Sequence, residues 1–339
     1  MCLYPKLVTN KKYVSNGKNG GNIPAVSDIR LLKTPTKCRK CIECRKQLAR
    51  EWHARLLEDI KDNINGVFVT LTFSNESIVK LKDDYKIYKI RNKDMVKIKI
   101  DDLKGYDFDN AIASRGVRLF NELWRKHNGK AVRHWLVTEL GHNGTENIHL
   151  HGIIWTDKLD EIKLRWKHGH VWTGKYVNEK TIGYITKYIH KQDEKHKYYT
   201  PIVLTSNGIG NNYINKFDAK NNKFNGTETK EYYRTKTGHK INLPVYWRNK
   251  IYTELEREQL WLQKLNKEER WIMGEKIDIS KTDNEYKKLL EYYQKLNKQL
   301  NYGDDKINWK EKEYEMQQRE IMKATRIAKG KRNASGGVL

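Results

Sequence analysis

No stretch of this chain stays apolar long enough to cross a membrane, and no signal-peptide pattern follows Met1. An intracellular protein is expected. Cysteine is scarce: four residues, Cys2, Cys38, Cys41 and Cys44, all within the first 44 positions. That is not the pattern of a secreted disulfide framework. Acidic side chains are also in deficit, 42 Asp and Glu against 67 Lys and Arg, which leaves a net charge of +25. An excess of that size favours a polyanionic partner through attraction and counterion release. Solubilisation by lysine is the plainer alternative. Hydrophobic residues make up only 37% of the chain, yet 339 residues suffice for one large or two modest cores. Internal repeats are absent. Aromatics, by contrast, are plentiful, with 20 Tyr and 10 Trp. They offer stacking surfaces suited to single-stranded nucleic acid, although aromatics also build cores.

Residues 1–37 read as loop with short extended pieces, given their Asn-Gly, Gly-Gly and Pro punctuation. An apolar stripe of Ile42, Leu48, Trp52, Leu56 and Ile60 predicts a helix over about 41–63. Val67–Phe73, β-branched and aromatic, predicts a strand. Residues 80–108 look charged and irregular, an insertion. Val117, Phe120, Leu123 and Trp124 mark a second helix ending near Asn128-Gly129. Two strand-like runs, His134–Leu140 and Asn147–Trp155, flank a Gly141–Glu146 turn, which is a hairpin signature. A helix at 159–166, a strand over Trp166–Trp172 and a helix at 179–193 follow. Beyond residue 200 the chain is rich in Asn, Gly and Lys, with one strand-like piece at Lys240–Tyr246. From Asn249 it reads as charged helix, broken near 274–282 and 303–305, with a disordered tail over 329–339. Because adjacent strands are joined by a hairpin, the first 200 residues suggest an α+β fold, an antiparallel sheet with helices on its faces.

Wound at 100° per residue, Tyr184, Lys187, Tyr188 and Lys191 share one arc of the helix at 179–193, while Ile182, Ile185 and Ile189 form a separate anchoring stripe. Two phenols and two ammoniums on one face can support nucleophilic attack on phosphate. A phenol of pKa about 10 needs help from a nearby cation to do so. An ordinary amphipathic helix with boundary tyrosines is the competing reading.

In Ile148–Trp155 the strand alternation puts His149 and His151 on one face, and two imidazoles so placed can share a metal ion with open positions for substrate. Glu139 would complete a two-His, one-carboxylate site suited to manganese or magnesium. It shares their face only in a register that pairs it with an odd-numbered residue, such as His149; a slip of one residue would present Thr138 instead. His142, in the turn, is the reserve ligand. His168-Gly-His170 has the same spacing but looks like a solvated strand end. Cys38, Cys41 and Cys44, spaced C-x2-C-x2-C, could join Cys2 in a four-thiolate structural zinc site. Buried, reduced thiols acting as small hydrophobes are the alternative.

These motifs, in this order, resemble those of the replication initiators of small single-stranded DNA phages, the microviruses, and most closely the gokushovirus type. The similarity rests on Met1–Pro5, Cys41–Gln47 with Arg50-Glu-Trp52, Phe68–Phe73, Glu139-Leu-Gly141 followed by His149-Leu-His151, Tyr184 with Tyr188 and Lys191, and Leu243–Arg257. It covers roughly residues 1–270. The resemblance implies the two-tyrosine class of the HUH endonuclease fold, a central antiparallel sheet flanked by helices, here with a charged helical C-terminal extension. It implies a divalent metal held by His149, His151 and Glu139, and Lys187 and Lys191 as the lysines flanking the nucleophilic Tyr184 and Tyr188. One tyrosine would nick the viral strand at the replication origin and keep the 5′ end, and the other would cut again to close the circle. The implied partners are single-stranded origin DNA, a host helicase and a host DNA polymerase, in the cytoplasm of a bacterial host. The expected organisation is a cysteine-containing segment and helix over 1–60, the nuclease core over 61–200, a basic extension over 201–270 and a charged helical region over 271–339.

A relaxase or transposase of the same chemistry is one alternative, though such enzymes usually carry larger accessory domains. A non-catalytic, zinc-stapled single-strand-binding protein is another, but it leaves the conjunction of the His-Leu-His strand and paired tyrosines unexplained.

Overall fold

In a computed structural model of the chain, residues 2–85, 103, 105–142, 146–174, 176–304, 317 and 321 are described. Strand β1 (Lys6–Thr9) pairs with β2 (Lys33–Thr36), and α1 (Ile42–Asp62) follows. Then come β3 (Gly66–Thr72), α2 (Asn75–Tyr85), α3 (Gly105–Asn128), β4 (Arg133–Leu140), β5 (Ile148–Trp155), α4 (Leu159–Arg165), β6 (Val171–Thr173), α5 (Glu179–His190) and β7 (Val203–Thr205). The remainder comprises α6 (Phe217–Lys220), β8 (Tyr232–Arg234), β9 (Lys240–Asn242), α7 (Val245–Ile251), α8 (Glu254–Asn266), β10 (Glu269–Ile272), β11 (Glu275–Asp278) and α9 (Asn284–Gln299). The chain divides into two compact units. Met1–Arg55 and Asn211–Ile307 make one; Leu56–Gly210 makes the described body of the other.

The second unit is built on a five-stranded sheet in the order β6-β3-β5-β4-β7, with every neighbouring pair antiparallel. Helices flank it, so the α+β layer architecture expected from the hairpin pattern is the one observed. Side-chain alternation gives the sheet two faces. On one, Val67, Val69, Leu71, Leu136, Leu140, Leu150 and Ile154 are buried against Ile78 and Leu81 of α2 and Ile112, Val117 and Phe120 of α3. Each fully buried aliphatic or aromatic side chain of this core contributes about 1.5–3 kcal/mol. The other face carries Phe68, Thr70 and Thr72 of β3, His149 and His151 of β5, and Glu139 of β4. At the start of β4 the guanidinium of Arg133 bonds to Asp59, whose carboxylate also accepts from the Gly210 N–H at 2.7 Å.

Two apolar clusters lie in the first unit among the described residues. Trp247, fully buried, stacks on Tyr213 at 4.1 Å and packs with Tyr233, Ile241 and Leu243. Cys2, Leu3, Cys41, Ile42 and Cys44 pack with Ile272 and Ile277.

Four local expectations are corrected. The charged stretch at 80–108 is helical at both ends, closing α2 and opening α3; its middle lies outside the described residues. The strand expected at Trp166–Trp172 is reduced to Val171–Thr173, because Trp166 caps α4 through its N–H to Ile162 and Gly169 lies against Thr72. The strand expected over Lys240–Tyr246 stops at Asn242, and Pro244 opens α7 instead. The break near 274–282 is a hairpin, β10–β11, turning through Met273 and Gly274, both at positive φ. The disordered tail and the Asn143-Gly144 turn fall outside the described residues.

Candidate functional site

Helix α5 begins with a capping box. Asn178 accepts from the Thr181 N–H at 3.0 Å, and Thr181 Oγ1 accepts from the Asn178 N–H at 3.3 Å, which satisfies two of the otherwise orphaned donors. Ile182, Ile185 and Ile189 are 0%, 0% and 4% exposed, so the isoleucine stripe anchors the helix as its spacing predicts. That rotation leaves Tyr184 47% exposed and tucks Tyr188 in at 8%. Tyr188 stacks on the His151 ring, centroids 4.7 Å apart and 7° from parallel. Its hydroxyl donates to the Tyr184 hydroxyl at 2.5 Å. Tyr184 meets Phe68 edge to face at 6.0 Å, and the Lys187 ammonium lies 4.8 Å from the Tyr184 ring centroid. Lys191 ends the helix and reaches Glu139 at 3.4 Å.

The sheet beneath meets the register condition: Glu139 pairs with His149 and Val137 with His151. Glu139, His149 and His151 therefore share the face that α5 covers. Glu139 Oε2 is 2.9 Å from His151 Nε2, while Thr70 Oγ1 is 3.0 Å from His151 Nδ1. The first of these is a direct hydrogen bond between imidazole and carboxylate, which a cation shared by the two groups would replace. Burial pushes the His149 imidazole below its ordinary pKa, helped by His151 and opposed by Glu139. His149 is thus held neutral, the state a metal requires. Burial would raise Glu139, but the hydrogen bond and charge of His151, with Lys191, keep it below the usual carboxylate range. Among the described residues the half-buried His149 ring makes no hydrogen bond, and it lies beside the Glu139 carboxylate. A hard divalent ion suits this donor set. The three donors are not closed up around a point, however. Among the described residues, the four cysteines are the one group of three or more His, Cys, Asp or Glu with donor atoms all within 4.8 Å of one another.

Tyr188 is pushed well above the ordinary phenol by burial first, then by its bond to Tyr184 and the charge of Glu139. His142 lies elsewhere, 3.4 Å from Asp193. His168 is committed to aromatic packing on Phe73 and Trp166, and His170 is exposed. Thr70 and Gly141 also belong to this site. Thr70 lies on the face of the Thr-Leu-Thr strand that its pairing with His151 defines. Gly141 carries no signal in one sequence: only the fold reveals that a Cβ there would sit 2.6 Å from His149 Cε1.

Residues 66–193, from β3 to just past α5, match a family model of replication-associated proteins of the ORF2 type, and they contain every side chain of this site. Over 260 residues the chain is 25% identical to the replication-associated protein VP4 of Bdellovibrio phage phiMH2K, covering 69% of each. Both matches support the resemblance to microvirus replication initiators read from the motifs. No solved structure matches the chain. Among the described residues, no helix is long and apolar enough to span a membrane.

Proposed function

We propose that this chain initiates rolling-circle replication of a single-stranded phage genome, nicking and rejoining the origin through a 5′-phosphotyrosine in an HUH-type fold. The observation that carries this reading is the stack of Tyr188 on His151, which brings both phenols over the sheet face bearing His149, His151 and Glu139.

In the first cut the phenolic oxygen of Tyr184 attacks the scissile phosphorus. The bond from phosphorus to the 3′ oxygen breaks, that oxygen takes up the proton lost by the phenol, and the 5′ phosphate stays esterified to the protein. Glu139, His149 and His151 would hold a manganese or magnesium ion, which when bound supplies positive charge to the phosphate oxygens. Tyr188, a hydroxyl donor to Tyr184, stabilises negative charge on the attacking oxygen, and Lys187 over the same ring adds to it. Lys191 partly neutralises Glu139 so that the anionic DNA strand can approach. The freed 3′ hydroxyl primes a host polymerase behind a host helicase in the bacterial cytoplasm. Tyr188 then cuts the regenerated origin in the same way, and the released 3′ hydroxyl attacks the first phosphotyrosine, forming the closing phosphodiester as the bond from phosphorus to the Tyr184 oxygen breaks and that phenol takes back a proton.

The test is a denaturing-gel assay of the full chain with manganese and single-stranded oligonucleotides tiled across the cognate phage genome. One or a few oligonucleotides are expected to give a covalent adduct, lost on chelation. No adduct with any of them would sink the proposal.

A finer prediction concerns Gly141. In Gly141→Ala the new methyl meets the His149 ring, so the imidazole must turn away. Manganese affinity, read by titration calorimetry, is expected to fall about tenfold to a hundredfold while the circular dichroism spectrum is unchanged. Unaltered affinity would show that His149 is not a ligand.

A further inference from the structure

The first unit gathers Cys2, Cys38, Cys41 and Cys44 so that all four sulfurs lie within 4.8 Å of one another, with Cys38 and Cys44 at 3.9 Å. All four are free thiols. A tetrahedral zinc ion with Zn–S bonds of about 2.3 Å has edges of about 3.8 Å, so the sulfurs already stand near that spacing. An iron–sulfur cluster interposes inorganic sulfide and holds its cysteines farther apart. A single ion fits this cage.

The surroundings are those of a metal centre and not of a chance apolar cluster. Backbone N–H groups point at the sulfurs: Cys38 N–H to Cys2 Sγ at 3.2 Å, Tyr4 N–H to Cys2 Sγ at 3.4 Å, and Cys41 N–H to Cys38 Sγ at 3.3 Å. Such bonds orient and stabilise thiolates at a metal. To make the turn between Cys38 and Cys41, Arg39 adopts φ 63°, a left-handed conformation that a non-glycine residue takes only where the surroundings demand it. Arg45, 5% exposed, holds its guanidinium over the Tyr302 ring, 5.5 Å from the centroid, in the same cluster.

We infer that Cys2, Cys38, Cys41 and Cys44 bind one structural zinc ion, which fastens the chain's first residues and the start of α1 beneath β10–β11 and α9. The cover is specific. Ile272 and Ile277 pack on the cysteines, fully buried Asn297 accepts from the Ile42 N–H at 2.9 Å, and Gln294 donates to the Leu3 carbonyl at 2.7 Å. The segment beyond residue 270, which had no counterpart in the family resemblance, thereby acquires a role as the lid of a metal centre.

Full-length protein, purified under reducing conditions without chelator, is analysed by mass spectrometry for metals and by titration of acid-labile sulfide. One zinc per chain is expected, retained in the His149→Ala/His151→Ala variant and lost at least tenfold in Cys44→Ser. Exchange of the wild-type protein into cobalt gives a readout independent of whether that variant folds: intense sulfur-to-cobalt charge-transfer bands and tetrahedral ligand-field bands are expected. Absence of bound metal, iron with sulfide, zinc that survives Cys44→Ser, or a cobalt spectrum without thiolate bands would each overturn the assignment.

Discussion

Tyr184→Phe is expected to reduce the first covalent adduct with origin DNA by more than about a hundredfold, whereas Tyr188→Phe slows that adduct less and blocks the second cut. The asymmetry follows from the geometry of α5. Tyr184 is half exposed, and Tyr188 is buried against His151. The hydrogen bond between them runs from Tyr188 to Tyr184, so Tyr188 is the donor and Tyr184 the oxygen on which charge is stabilised. Burial, the Tyr184 contact and Glu139 all hold the Tyr188 proton in place, which disfavours it as the opening nucleophile. Removing its hydroxyl costs Tyr184 one charge-assisted hydrogen bond, on the order of 1.5–3 kcal/mol, so the first nick should slow roughly ten- to a hundredfold without vanishing. The measurement is single-turnover adduct formation, followed by release of circularised product from a substrate with two origins. Equal losses in the two single variants would refute the order, and undiminished adduct in the double variant would refute tyrosine chemistry altogether.

Gly152→Ala is expected to unfold the sheet or destabilise it by about 3 kcal/mol or more, lowering the melting temperature by about 10 °C. Gly152 lies on β5 between His151 and Ile153, opposite Leu136 on β4 and Val69 on β3. A Cβ at this position would stand 2.0 Å from the Trp135 carbonyl oxygen and 2.8 Å from Leu136 Cα. Both are backbone atoms, so no rotamer relieves the clash and β4 must part from β5. That is the pair whose register aligns Glu139 with His149, and loss of DNA nicking should accompany the loss of stability. Thermal denaturation with and without manganese checks this. A melting temperature within about 2 °C of wild type would contradict the packing described.

Much of the site was readable because it is written in short periods. Alternation along Ile148–Trp155 put two histidines on one face, and helical spacing put three isoleucines opposite the tyrosine–lysine face. A hairpin places its two strands side by side, so only the parity of the Glu139 pairing was open, and the fold decides it in favour of His149. What escaped was set by contacts between residues distant in the chain. The three-residue strand β7 is defined by its pairing with β4, and nothing in Val203–Thr205 announces an edge strand. Val245 and Tyr246 favour strands by composition, yet Pro244 presents no N–H and leads the chain into α7. Met273-Gly274 lacks the Asn or Asp that signals a two-residue hairpin turn, although both residues take the positive φ such a turn needs. The cysteine cluster was countable in sequence, but its cover of Ile272, Ile277 and Asn297 could not be inferred from local pattern.

The division of the chain has a consequence for biosynthesis. The unit containing the cysteines is discontinuous in sequence: its first part ends at Arg55, and its second begins at Asn211, after the whole sheet unit has been made. A ribosome adding about 5–20 residues per second needs on the order of tens of seconds to pass from Cys44 to Ile272. Over that interval four thiols have left the ribosome before the side chains that bury them exist, while Leu56–Gly210 can already close its own core. The N-terminal segment must therefore wait, reactive and uncovered, for a late-made lid. The zinc ion inferred above, captured early, would shield the thiols during that wait.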